Sequence, residues 1–312
     1  MSAGGAGSHF DLAVLGADDP LGESFLKALE DSEVPVGRIF PLTLGEAEGI
    51  VAFRGEEWPC MPLDGFDLSQ AQALVVASPH PAAQRWVEQV RDQYPVMPVL
   101  APDEVLPAPS VAVARVLNVL EALAEVEQAE AFVTLPVALA GKAGVDELVN
   151  QTRGLFNMES PDPEVFPLQI AFNVLPEMDE GGRRYGPGRL AEVARKLGRG
   201  GDVGFSVAWA PLLYGAVTAL HVRLGRNLDL AELRQALKHQ DEICLMESDL
   251  AAGNPTPATD SGESADIFVG QVRVAGGNVR LWLVYDPLRV EAMQLVSAVE
   301  NWIEKPANSM LT

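Results

Sequence analysis

The chain is poor in side chains that staple, ligate metal or hold nucleic acid. Its 312 residues include two cysteines, Cys60 and Cys244, with no motif spacing between them. That excludes a disulfide framework and makes a reduced, cytoplasmic protein the expectation. Four histidines, at 9, 80, 221 and 239, are too scattered for a metal signature. Basic side chains number 22 against 44 acidic ones, a net charge of −22. Binding nucleic acid requires Lys and Arg to displace counterions, so no nucleic-acid partner is expected. No apolar run approaches the roughly 18–20 residues of a membrane span, so no membrane association is expected. The opening MSAGGAGSHF has neither a basic nor an apolar segment and reads as a short flexible leader, not a signal peptide.

What is present is a 48% hydrophobic chain with the length of about two domains. Up to residue 130 strand and helix signals alternate. "FDLAVLGA" (10–17) and "ALVVAS" (73–78) are continuous apolar strands, as expected where both faces are covered. "RIFPLTL" (38–44), "IVAFRG" (50–55) and "PVLAP" (98–102) read as further strands, and 20–30 and 81–93 as helices. A long helix is predicted over 109–131. The pattern is α/β, a Rossmann-type doubly wound parallel sheet. From 131 to 288 the character changes to α+β with a largely antiparallel sheet. Strands are predicted at 131–139, 168–175, 204–212 and 215–225, with a helix over 145–156. A hairpin is predicted around Gly276-Gly277-Asn278, and a final helix over 288–304.

Several stretches, in order along nearly the whole chain, carry a resemblance: "LGADDPLG", "GKAGVDELVNQTR" (141–153), "IAFNVLP" (170–176), "NPTP" (254–257), "IFVGQVR" (267–273) and "WLVYDPLR" (282–289). Together they resemble the aspartate-semialdehyde dehydrogenase family, in its Usg-type branch. The resemblance implies a nucleotide domain of 1–130 completed by 289–312. It also implies a domain of 131–288 that dimerises through its sheet, and hence a homodimer. The implied chemistry is reductive dephosphorylation of an aspartyl phosphate by a cysteine nucleophile, a histidine base and NADPH.

The residues that carry this chemistry in the family are replaced here. The Asn-Pro-x-Cys turn corresponds to Ala108-Pro109-Ser110-Val111, so the nucleophile position is Val111. The Arg-x6-His pattern corresponds to Trp209 through Ala216, which puts Trp209 at the arginine and Ala216 at the histidine. The Ser-Thr-Tyr-Gln stretch corresponds to Val133-Thr134-Leu135-Pro136, with Pro136 at the glutamine. A Glu-x-x-Lys pair falls near Glu192 and Arg195-Lys196. No catalytic residue is therefore assigned. Ser110 reads as a helix cap or, less readily, a replacement nucleophile. Trp209 and Tyr214 read as filling the pocket or lining an apolar ligand site. Cys60 and Cys244 read as buried structural thiols and His221 as satisfied at the sheet. His80 reads as a loop cap or a ligand contact. The basic run 183–201 reads as a solvated helix face or a docking surface for an acidic partner.

The turn after the first strand is Gly16-Ala17-Asp18-Asp19-Pro20-Leu21-Gly22. Gly16 and Gly22 match the first and last glycines of the family's loop, and Asp19 replaces the middle one. Asp before Pro suits a helix N-cap, so Asp19 is expected to take the free N–H groups that would otherwise meet a phosphate. After the second strand, Leu42 through Glu46 offer no arginine for a 2′-phosphate. No cofactor is expected, with NAD or NADP the choice if there is one. Three readings stay open: a non-catalytic homologue acting by dimerisation or protein binding, a nucleotide sensor, and an NAD(P)-binding oxidoreductase acting on an aldehyde or oxo group in amino-acid biosynthesis.

Overall fold

The computed structural model describes residues 9–44, 49–101, 105–178, 183–198, 202–248, 253–262 and 264–304. The chain divides into two compact units, Met1–Val105 with Glu291–Thr312, and Leu106–Val290.

The first unit contains β1 (Phe10–Leu15), α1 (Pro20–Glu30), β2 (Val36–Thr43), β3 (Ile50–Phe53), β4 (Glu56–Pro59), β5 (Met61–Pro62), β6 (Ala73–Val76), α2 (Pro81–Gln93) and β7 (Val99–Leu100). Its sheet runs β5-β2-β1-β6-β7 with every pairing parallel, so it grows both ways from β1. Residues 12–15 and 73–76 are buried along their whole length, as a sheet covered on both faces requires. The 50–55 segment departs from expectation. β3 pairs with β4 in a separate hairpin, turned by Arg54 and Gly55 at φ 53° and 75°. Two positive φ values match the twist of a two-residue hairpin, and only alternate residues of β3 are buried.

The second unit contains α3 (Ala108–Leu123), β8 (Val126–Leu135), α4 (Gly141–Phe156), β9 (Leu175–Pro176), α5 (Pro187–Leu197), β10 (Asp202–Trp209), β11 (Ala216–Leu224), α6 (Leu230–Lys238), β12 (Ile243–Leu245), α7 (Pro257–Asp260), β13 (Ile267–Ala275), β14 (Asn278–Tyr285) and the start of α8 (Pro287–Glu304). Its sheet runs β12-β13-β14-β11-β8-β10-β9. β12–β13 and β8–β10 are parallel and the other pairs antiparallel. The predicted hairpin forms, with Gly276 and Gly277 at φ 56° and 79°.

Four expectations are corrected. The helix over 109–131 ends at Leu123, because Ala124 is extended (φ −159°, ψ 152°). From Val126 the chain is a strand, with Ala129, Ala131, Val133 and Leu135 buried at a period of two. Alanines among glutamates fit either period, and pairing with β10 and β11 on both sides decides for the strand. α3 also packs on α5, α6, β8 and β11, so the unit boundary falls before Leu106 and not after residue 130. The strand over 131–139 stops at Leu135, where Pro136 has no N–H to continue it. The strand over 168–175 shrinks to Leu175–Pro176. Ile170 and Ala171 donate their N–H groups to Gln151 Oε1 (2.9 and 3.1 Å), and Phe172 sits at φ 57°.

Gly22 is where β1 and α1 come closest. A Cβ there would lie 2.0 Å from Gly16 O and 2.8 Å from Ala17 Cα, both backbone. Gly22→Ala should therefore cost about 2–3 kcal/mol, the scale of forced overpacking. A denaturant midpoint unchanged from wild type would contradict this packing.

Candidate functional site

In the first unit the site is the β1–α1 turn. Gly16 stands at φ 76°, and a Cβ on it would meet Ser78 Cβ at 2.6 Å. Its N–H donates to Leu42 O (2.8 Å), which holds the turn against β2. Asp19 occupies the N-cap position in extended conformation, and its carbonyl accepts the N–H of Glu23 (3.0 Å). Its side chain makes no cap hydrogen bond, contrary to expectation. Pro20 at the first helical position already removes one free N–H, so the demand on a cap is smaller. Asp18 does more than the sequence suggests. Thr43 Oγ1 donates to its carboxylate (3.3 Å) at the end of β2, and the carboxylate also lies against Gly49. The turn from 16 to 22 thus presents carboxylates and no basic side chain. Thr43 ends β2 and Leu44 follows it, while Gly45 and Glu46 lie outside the described residues. His80 caps α2, with Nδ1 accepting the N–H of Ala82 (3.1 Å).

In the second unit Ser110, Val111 and Ala216 are buried. Val111 is buried in the first turns of α3. Ser110 is not a cap, because the N-cap is Pro107. Its buried hydroxyl donates to Leu190 O (2.9 Å) and ties α3 to α5. Ala216 is fully buried at the start of β11. Thr134 Oγ1 is buried with no hydrogen-bond partner among the described residues.

Trp209 closes a small polar-aromatic cluster. Its Nε1–H donates to Glu177 Oε2 (2.5 Å), while its ring meets Phe166 and Tyr185 edge-on at 5.3 and 6.4 Å. Glu177 is buried and faces Arg183 at 3.4 Å. Tyr214 is exposed and fills nothing. Glu192 and Lys196 form an exposed i,i+4 pair (2.6 Å) with Arg189 joining at 3.3 Å. These cations hold the Glu192 carboxyl below its ordinary range, Lys196 foremost. The described part of the basic run is thus a solvated helix face, and 199–201 lie outside the description.

Other nominated side chains are inert. Neither cysteine is in a disulfide; Cys60 is buried and Cys244 only half-buried. Partial burial, then the nearby Asp266 and Asp260, push the Cys244 thiol up, away from the reactive thiolate. His239 Nδ1 lies 2.6 Å from Gln235 O at the end of α6. No group of three metal-ligating side chains converges among the described residues. None of the described helices is long and apolar enough to cross a membrane.

Two polar residues of α4 escaped the sequence reading. Glu147 is buried, and its Oε2 accepts N–H groups from Glu164 (3.1 Å), Val165 and Phe166 (3.4 Å). Gln151 donates to Glu147 Oε1 (2.8 Å) and accepts from Ile170 and Ala171. The pair pins the irregular segment 164–171 to the helix. The available signal was two long polar side chains at i and i+4 in "ELVNQ".

The sheet has one face under α3, α5 and α6, and on the opposite face Glu130, Phe132, His221 and Arg280 are exposed. Strand register sorts the open face into cross-strand rows. One row runs Ser206, Phe132, Ala219, Trp282, and Phe132 is 48% exposed. The next runs Gly204, Glu130, His221, Arg280, Arg273. His221 is therefore exposed between Glu130 and Arg280, not enclosed in the sheet. On the other side of the apolar row lie Ala208, Thr134, Val217 and Val284. The "NPTP" segment approaches the face at one corner, where Trp282 Nε1–H donates to Pro255 O (3.2 Å).

Comparison with known proteins places these features in a family. Residues 118–290 match the model described as "Semialdehyde dehydrogenase, dimerisation domain". The chain is 26% identical to the aspartate-semialdehyde dehydrogenase of Shewanella violacea, over 90% of this chain and 94% of that one. It is 28% identical to the USG-1 protein homolog of Azotobacter vinelandii, over 95% and 98%. Among solved structures, aspartate semialdehyde dehydrogenase II from Vibrio cholerae superposes with a TM-score of 0.76 at 21% identity, over 96% of this chain and 100% of that one.

The α4 pins yield a direct test. Glu147→Leu strands three backbone N–H groups and should cost about 3 kcal/mol, while Glu147→Gln should cost about half that. Denaturant midpoints at unchanged slope, with faster proteolysis within 159–168 in the Leu variant, would bear this out. Equal midpoints for all three proteins would refute it.

Proposed function

The chain belongs to the semialdehyde dehydrogenase family, and we propose that it is a non-catalytic member, a homodimer that acts by binding a protein partner. The carrying observation is Trp209, which stands where the resemblance implies a substrate-binding arginine. It is committed to Glu177, Phe166 and Tyr185. Val111, Ala216 and Pro136 stand where a nucleophile, a base and an orienting amide are implied, and none of them can accept or donate a proton in chemistry. Losing a nucleophile or a base alone costs about 10⁴–10⁶ in rate, and losing them together leaves only binding.

The β1–α1 turn supports the same reading for the cofactor. A diphosphate needs N–H groups and cations, and the turn offers the carboxylates of Asp18 and Asp19. Its residues therefore do not fit NAD or NADP well, and no step is assigned to either. The retained Gly16 conformation favours one second reading, nucleotide binding without turnover. A cytoplasmic address and the absence of a nucleic-acid partner belong to the same reading. The acidic balance and two cysteines outside any disulfide support them.

Turnover of aspartate semialdehyde with NADP and phosphate should fall at least about 10⁴-fold below that of an active family member. A rate within about tenfold of one would overturn the proposal. Thermal melting with NAD(H) or NADP(H) at millimolar levels should show no shift in wild type. A clear wild-type shift would instead establish the second reading, since ligand at 100 times its Kd adds about 2.7 kcal/mol.

A further inference from the structure

We propose that the cleft between α6 and the far end of β13 binds a small phosphomonoester. Lys238 and Arg273 hold its phosphate, and its organic part lies against Leu245.

The cleft has a volume of about 680 Å³. That is far more room than a bare ion fills, and it falls within the roughly 300–1,000 Å³ of small-molecule sites. On one side is α6, where Arg234 and Lys238 stand four residues apart and so share a helix face. On the other is β13, with Gln271 and Arg273.

A break in the strand brings those two side chains to the cleft. β12 pairs only with Ile267–Val269, so β13 runs on past its neighbour. Gly270 faces Trp282 but Arg273 faces Arg280, which puts one extra residue on β13. Alternation from the buried Ile267 and Val269 would carry 271 and 273 into the core. With the extra residue Val272 is buried instead, and Gln271 and Arg273 are exposed. Gln271 takes φ 49°, rare for a residue with a Cβ, and its N–H donates to Asn254 Oδ1 (3.3 Å). A bulge of this kind re-aims side chains and is common beside binding sites.

The charge of the cleft is the inverse of the chain's. Against a net charge of −22, its lining holds three cations and one acid. The acid, Glu247, is engaged by Arg234 at 2.5 and 3.1 Å. Lys238 and Arg273 have no acidic partner among the described residues. Arg273 also stands directly across from Arg280, a like-charge pairing that an anion on Arg273 offsets. A phosphate dianion carries oxygens in several directions and can be met from both sides of the cleft. Arg grips it through a planar fork and Lys as a point charge. The half-buried Leu245 offers apolar contact, which only an ester with an organic part can use.

Calorimetric titration of the full chain with glycerol 3-phosphate, inorganic phosphate and succinate tests the site. Glycerol 3-phosphate should bind once per chain and more tightly than the other two. Lys238→Gln and Arg273→Gln should each weaken it about tenfold or more, the scale of one lost charge-assisted contact. Both side chains are exposed, so unfolding midpoints close to wild type should show that the variants fold. Arg85→Gln, which removes an exposed cation of α2, should leave binding unchanged. No heat from glycerol 3-phosphate at millimolar concentration would overturn the proposal. So would binding that survives both cleft variants, or that Arg85→Gln weakens as much as they do. Succinate or inorganic phosphate binding as tightly as glycerol 3-phosphate would overturn the phosphomonoester as its ligand.

Discussion

The second unit depends on the register of β8. This ten-residue strand pairs in parallel with β10 and antiparallel with β11, so it has a neighbour on each side. Side chains in a strand alternate between faces, and a one-residue slip would exchange every one of them. The register therefore decides at once that Ala129, Ala131, Val133 and Leu135 are buried and that Glu130 and Phe132 reach the open face. The buried row accepts α3, and the exposed row supplies the acid and the aromatic ring of the outer surface. Core and surface of this unit are two consequences of one set of backbone hydrogen bonds.

The sequence was most legible where local chemistry leaves one choice. Pro20 and Pro81 start α1 and α2, and Gly276-Gly277 permits only a tight hairpin. It was least legible where the deciding partner is distant. "AEVEQAEA" holds good helix formers, and only pairing with strands some 75 to 95 residues later makes it a strand. "LQIAFNVL" has the composition of a strand, yet Gln151 claims two of its N–H groups. The same limit applied to the candidate site. Asp19 was placed correctly at an N-cap from its neighbours, while the hydrogen bonding of its carboxylate was not local information. The roles of Glu147, Glu177 and Asp18 all depend on partners outside their own elements.

The β1–α1 turn separates two meanings that a glycine motif usually carries together. Gly22 is required by contact between backbones, because any Cβ would run into Gly16 O. Gly16 is required by its own φ and by Ser78. Both needs exist whether or not a phosphate is ever bound. The position whose glycine serves only the ligand is the middle one, and there the chain carries Asp19. The two glycines present are thus those that the fold itself demands.

The same logic separates the two sides of the second unit. Buried polar groups positioned for chemistry are destabilising, and apolar side chains at such positions favour the fold. Val111 and Ala216 now sit in the core, and Trp209 satisfies a buried carboxylate with a neutral donor. The open sheet face has not relaxed in this way. It keeps adjacent arginines, an acid two strands from the nearer of them, and a half-exposed phenylalanine. In an isolated chain the pairing of adjacent arginines is a cost. The exposed charge of this unit's sheet therefore lies on that face, while Val111 and Ala216 are part of its core.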